Sequence, residues 1–77
     1  MLSNIVLPIK KVASLVNSKI SVEIKDENLV CEGILVAVDD YLNLYLEDSI
    51  EIRNDVRKEI GNVVIRGSNI LTIHPIN

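Results

Sequence analysis

The chain has 77 residues, room for one small domain. Eight basic against 11 acidic side chains leave a net charge of −3 at pH 7, which argues against a general electrostatic nucleic-acid binder but leaves room for a local site of a few aimed side chains. Hydrophobic residues make up 48% of the chain although Phe and Trp are absent, and a domain this small buries only about 60% of its unfolded surface, so a partner surface is expected, self-association being the simplest.

The lone Cys31 cannot close an internal disulfide, and a reducing, cytoplasmic setting follows. The apolar start Ile5-Val6-Leu7 is cut by Pro8, and Lys10 and Lys11 lie on the wrong side of it for a secretion signal. No run is long enough to cross a membrane, so no membrane partner is expected.

In residues 8–16, Ile9, Val12, Ala13 and Val16 recur at helical spacing. Pro8 suits the first helical position and Asn17 a left-handed stop, which predicts a short amphipathic helix over 8–16 with Lys10 and Lys11 on its polar side. The period then changes to two: Ile20, Val22 and Ile24 alternate with polar residues in a half-buried strand, and Asp26-Glu27-Asn28 make a turn. Residues 29–38 form a long apolar strand. Gly33 near its middle fits a strand that must bend sharply, or that another backbone approaches closely. Residues 39–52 continue as strand, residues 53–59 read as a charged solvated turn, and 60–67 and 68–75 supply two short strands.

One helix and about five strands in up-and-down order predict a mainly β domain, an open or partly closed five-stranded antiparallel barrel. Val63-Val64-Ile65 and Ile70–Ile73 are apolar without clean alternation, which predicts burial on both faces. A neighbouring copy adding a strand to the open edge would supply that cover, and a head-to-tail contact of this kind closes into a ring where the rotation permits.

Residue parity organises 39–46. Leu42, Leu44 and Leu46 point one way as core, while Asp39, Tyr41, Asn43 and Tyr45 point the other. A phenol ring offers a stacking platform, and a carboxamide offers one donor side and one acceptor side. Uracil presents an acceptor, O4, beside a donor, N3–H, so one Asn pairs with both; cytosine presents the reverse. Asp39, two residues before Tyr41 on the same face, is placed to pin the Asn43 amide in the uracil-reading orientation. If the Arg66–Gly67 turn lies beside this segment, the Arg66 guanidinium stacks on the second face of the base, and Gly67 permits the close approach. Stacking contributes roughly 1–3 kcal/mol per base, and repetition around a ring multiplies it by effective concentration. The residues alone equally allow Asp39 and Asp40 to form a plain turn, Asn43 to cap an edge and Arg66 to be solvated.

Residues 33–46, Gly-Ile-Leu-Val-Ala-Val-Asp-Asp-Tyr-Leu-Asn-Leu-Tyr-Leu, resemble the first motif of the Sm and Sm-like (LSm) family: Gly, a gap, an aliphatic, then Asp-x-x-(Met/Leu)-Asn. Ile65-Arg66-Gly67 resembles the core of its second motif, and both stand in order at the family's spacing. The resemblance covers nearly the whole chain as a single domain, with the motif regions at about 19–52 and about 60–74. It implies a helix followed by a strongly bent five-stranded barrel, rings usually of seven, and binding of uridine-rich single-stranded RNA at the inner rim. Carried over by position, the RNA-binding residues are Asp39, Tyr41, Asn43, Arg66 and Gly67. Arg-Gly in the second motif, where the bacterial Hfq branch has Lys-His, points to the archaeal and eukaryotic branch. The short ends without a basic tail resemble an archaeal subunit in a homomeric ring. Tyr41 stands where many members have His, Leu42 where Met is common, and Val38 where an aromatic often precedes the Asp.

Cys31 reads as a small core residue, Tyr45 as packing on a neighbouring strand or subunit, and His74 as solitary. No motif favours a catalytic set, a metal site or a cofactor. The expected function is a non-enzymatic RNA scaffold or chaperone in RNA processing or turnover, with RNA-processing proteins as further partners. The rival is the same ring used as a structural or protein-interaction module.

Overall fold

The computed structural model describes residues 9–25 and 28–76, with the backbone alone for Ile9 and Lys10. The expectations on Pro8, on the Ile9 and Lys10 side chains and on Asp26 and Glu27 lie outside the described residues. Helix α1 spans Ile9–Ala13, three residues shorter at its C-terminal end than the periodicity predicts. Beyond Ala13 the chain keeps winding on tighter bonds: Leu15 N–H donates to the Val12 carbonyl at 2.9 Å, and Ser18 N–H to Leu15 at 2.9 Å. The Ser14 hydroxyl donates back to the Lys11 carbonyl at 2.5 Å, a local bond that competes with the helical ladder. Asn17 takes the expected left-handed stop, φ 74°. Its N–H donates to the Leu35 carbonyl at 2.7 Å, and Leu35 N–H donates to Ser18 at 3.0 Å, clipping the helix exit to the sheet.

Five strands follow: β1 (Lys19–Ile24), β2 (Leu29–Val38), β3 (Leu44–Arg53), β4 (Val56–Ile65) and β5 (Ile70–Pro75). They form one antiparallel sheet in the order β4-β3-β2-β1-β5. The up-and-down expectation holds for β1 to β4 and fails for β5, which pairs with β1 (Val22 opposite Ile73) instead of continuing past β4. The edges β4 and β5 are nevertheless joined by residues 66–69 alone, three of them wound into a 3-10 turn, Gly67–Asn69. Strands lie about 4.8 Å apart, so that link is too short to cross a flat sheet of five. The sheet must curl until its edges approach, which is the partly closed barrel.

Small residues mark where it bends. The β2–β3 register slips between Glu32 and Ile34, leaving Gly33 out of the pairing. A Cβ on Gly33 would lie 2.5 Å from Ser49 Oγ and 3.0 Å from the Glu47 carbonyl oxygen. On the other side of Ser49 stands its β4 partner Gly61, at φ 71°. Both readings of Gly33, a bend and a close approach, are met at one place.

The charged turn expected over 53–59 is only two residues long. Asn54 and Asp55 both adopt positive φ, 51° and 67°, and close a tight hairpin. Arg57, Lys58 and Glu59 belong to β4, which starts four residues earlier than predicted. Its first half is exposed on both faces, so no period-two signal betrays it.

Val12, Ile20, Val22, Cys31, Leu35, Leu44, Leu46, Ile65, Ile70 and Ile73 form the core. Cys31 is buried there as a free thiol, its pKa raised by burial and by Glu51 and opposed by Arg53. In β5, adjacent Thr72 and Ile73 are both buried, in line with two covered faces, and the Thr72 hydroxyl donates to Glu23. In β4 the single chain leaves Val64 53% exposed between half-buried Val63 and buried Ile65, so within one chain its outer face is uncovered.

Candidate nucleic-acid interface

The β2–β3 connection, residues 39–43, and the β4–β5 connection, residues 66–69, meet at one end of the barrel. Parity placed Tyr41 and Asn43 on a strand; instead β3 starts at Leu44, and residues 39–43 form a turn. Leu42 N–H donates to the Asp39 carbonyl at 3.0 Å and Asp39 N–H to the Asn43 carbonyl at 3.2 Å. Leu42 itself sits at φ 62°, a left-handed conformation that costs a branched residue about 1–2 kcal/mol. It is half-buried, less deep than Leu44 and Leu46.

Asp39 holds this turn. Its Oδ1 accepts from Tyr41 N–H at 2.9 Å and from Asn43 N–H at 3.0 Å. Its Oδ2 accepts from the Asn43 side-chain Nδ2 at 2.9 Å. These bonds favour the carboxylate, the Asn43 amide most of all, followed by the backbone N–H groups of Asn43 and Tyr41 and a smaller share from the Tyr45 hydroxyl. Partial burial opposes them, and the net effect holds Asp39 below its ordinary pKa.

Asn43 joins the two connections. Its Oδ1 accepts from Gly67 N–H at 2.8 Å. An Asn side chain has two donors and two acceptor positions. Asp39 takes one donor and Gly67 one acceptor, which leaves one donor and one acceptor unclaimed among the described residues. Rotating the amide by 180° would set Oδ1 against the Asp39 carboxylate and Nδ2 against Gly67 N–H, two repulsive contacts at once. The orientation is therefore locked from both ends.

Gly67 is needed for contact rather than for a special backbone angle. A Cβ on it would collide with the Tyr41 carbonyl oxygen and come within 3.0 Å of the Leu42 carbonyl. This contact lays the Arg66–Gly67 turn against the backbone of Tyr41 and Leu42. Tyr41 is 82% exposed, and Arg66 is exposed on extended backbone (φ −69°, ψ 132°). Among the described residues no hydrogen bond or ion pair engages the guanidinium. The structure thus joins Asp39, Asn43 and Gly67 by hydrogen bonds, and places exposed Tyr41 and exposed Arg66 in the same pair of turns. Tyr45 lies opposite Ala37 of β2 and Val64 of β4 and lines a groove with Val36 and Val64, in keeping with packing on a neighbouring strand. His74 lies at the other face of β1, with Nε2 3.8 Å from Glu23.

A curled five-stranded sheet with two turns bridged through an Asp–Asn–Gly chain of hydrogen bonds defines a small-barrel protein of the Sm type. The LSM domain family matches residues 10–75, and the chain belongs to it. A probable small nuclear ribonucleoprotein G of Dictyostelium discoideum is 35% identical over 63 residues, covering 80% of this chain and 73% of the relative. A heptameric archaeal Sm protein superposes with a TM-score of 0.81 at 31% identity, over 88% of this chain and 98% of that one. The Sm protein of Pyrococcus abyssii, solved in complex with a uridine heptamer, superposes with a TM-score of 0.83 at 30% identity, over 91% and 99%. Both solved relatives are archaeal, within the archaeal and eukaryotic branch to which Ile65-Arg66-Gly67 points.

Proposed function

We propose that the chain is a subunit of an RNA-binding ring that recognises uridine-rich single strands and acts as a scaffold or chaperone in RNA processing or turnover, without catalysis of its own. The observation that carries this is the locked Asn43 amide, whose unclaimed donor and acceptor match O4 and N3–H of uracil and mismatch cytosine. Tyr41 and Arg66 are the two stacking faces, Asp39 orients Asn43, and Gly67 both fits the contact and donates to Asn43. The Pyrococcus abyssii relative with its uridine heptamer and the heptameric archaeal relative support the ligand and the assembly. A homomeric heptamer is the reading for this chain, with the open edges β4 and β5 as the surfaces that join copies. The free Cys31 thiol suits a reducing, cytoplasmic setting.

Binding of oligo(U) and oligo(C) to the parent protein, Asn43→Ala and Arg66→Ala tests this. The parent is expected to prefer oligo(U), and Asn43→Ala to lose the preference. Arg66→Ala should weaken both ligands through lost stacking, by roughly 10-fold or more. A parent protein that forms rings but binds neither oligonucleotide would make the ring a structural module instead.

A further inference from the structure

The carboxylate that orients Asn43 carries an unfilled position. Oδ1 of Asp39 already accepts two backbone donors, and Oδ2 accepts the Asn43 amide with room for a second donor. Each carboxylate oxygen has about two acceptor sites. We propose that Tyr45 is a positioning residue for the nucleotide site, its hydroxyl reaching diagonally across the β2–β3 pair to hold the Asp39 carboxylate from the side away from Asn43. This rests on the reading of that site as a uridine pocket.

The register supports the reach. Ala37 lies opposite Tyr45, Val38 opposite Leu44, and Asp39 N–H bonds to Asn43. Asp39 and Tyr45 are therefore diagonal neighbours on one face, a separation that aromatic side chains span. Tyr45 lines a groove of about 250 Å³ with Val36 and Val64, and remains 38% exposed. The lowered pKa of Asp39, to which the Tyr45 hydroxyl contributes, agrees with a donor there. The consequence is mechanical. A second donor on Oδ2, from the side away from Asn43, restrains the carboxylate plane against swivelling, and the amide bonded to Oδ2 inherits that rigidity.

Tyr45→Phe separates this from packing, because it keeps the ring and deletes only the hydroxyl. Two readouts are needed: the Asp39 carboxyl titration followed by carbon-13 NMR on the RNA-free protein, and oligo(U) against oligo(C) binding as a function of pH. The expected result is an upward move of the Asp39 midpoint, an acid limb of oligo(U) binding shifted to higher pH, and oligo(U) affinity at pH 7 lowered by about threefold to tenfold, the size of one ordinary hydrogen bond. An unmoved Asp39 midpoint overturns the contact. A moved midpoint with unchanged oligo(U) affinity and selectivity overturns the positioning role. If the parent binds no oligo(U) while Tyr45→Phe still moves the midpoint, the Tyr45–Asp39 contact stands and it is the uridine reading that fails.

Discussion

Asp39 and Gly67 hold opposite ends of the same carboxamide, and they do it differently. Asp39 acts by charge, so its contribution depends on pH. Its folded pKa lies below the unfolded value of about 3.9. It therefore adds stability above that unfolded value, and the contribution is lost as pH falls through the folded pKa. Urea unfolding of the parent and of Asp39→Asn across the acid range should show the parent losing stability more steeply below about pH 4. Gly67 acts by absence. Any Cβ meets the Tyr41 carbonyl oxygen, so Gly67→Ala must push the two turns apart and break the N–H bond to Asn43. We expect a loss of about 1–3 kcal/mol in denaturant unfolding, together with loss of oligo(U) preference in the surviving folded fraction. The Asp39–Asn43 link was legible from spacing and from the need to pin an amide. The turn around Leu42 was not, because left-handed Leu is sterically disfavoured and no pattern announces it.

The strands divide along the same line between pattern and geometry. β2 begins and ends where its composition changes, since Val38 is followed by the Asp39 turn and Leu29 preceded by polar residues. β4 begins earlier than its apolar stretch, because an Asn-Asp pair at positive φ closes the hairpin and carries charged residues into the ladder. The destination of β5 was invisible: nothing local in Ile70–Pro75 says that β1 and not β4 is its partner, and only closure of the barrel decides it. The bend at Gly33 was read correctly as a bend, but its other half, Ser49, was not. Among the described residues Ser49 Oγ is buried without a hydrogen-bond partner, an atom tolerated because the site admits only a small side chain against Gly33. Ser49→Ala removes the unpartnered hydroxyl without adding volume. It should gain about 1 kcal/mol, visible as a rise of about 4–8 °C in Tm for a domain of this size.

At the level of the whole molecule, charge and site pull apart. Seven copies of a chain with net charge −3 would make a strongly acidic ring, so phosphate neutralisation cannot be the main source of RNA affinity. Binding by stacking and base-edge pairing releases few counterions. A plot of log affinity for oligo(U) against log salt should therefore have a shallow slope, of magnitude about 2 or less by the usual counterion count per phosphate contact. A steep slope would mean that lysines and arginines beyond Arg66 track the backbone. The exposed Val36, Tyr45 and Val64 belong to this scale as well. They crowd beside the open β4 edge, where a neighbouring subunit would remove them from water, and the excess of aliphatic residues over core finds its place there.

The bond between Asn43 and Gly67 ties together positions 24 residues apart, across the entire β3–β4 hairpin. A chain emerging during synthesis therefore has no selective edge until its second motif has been made and docked, however well the first has formed. Engagement with an oligonucleotide then reports that the barrel is finished, and the ligand, by binding only the completed form, draws the population toward it.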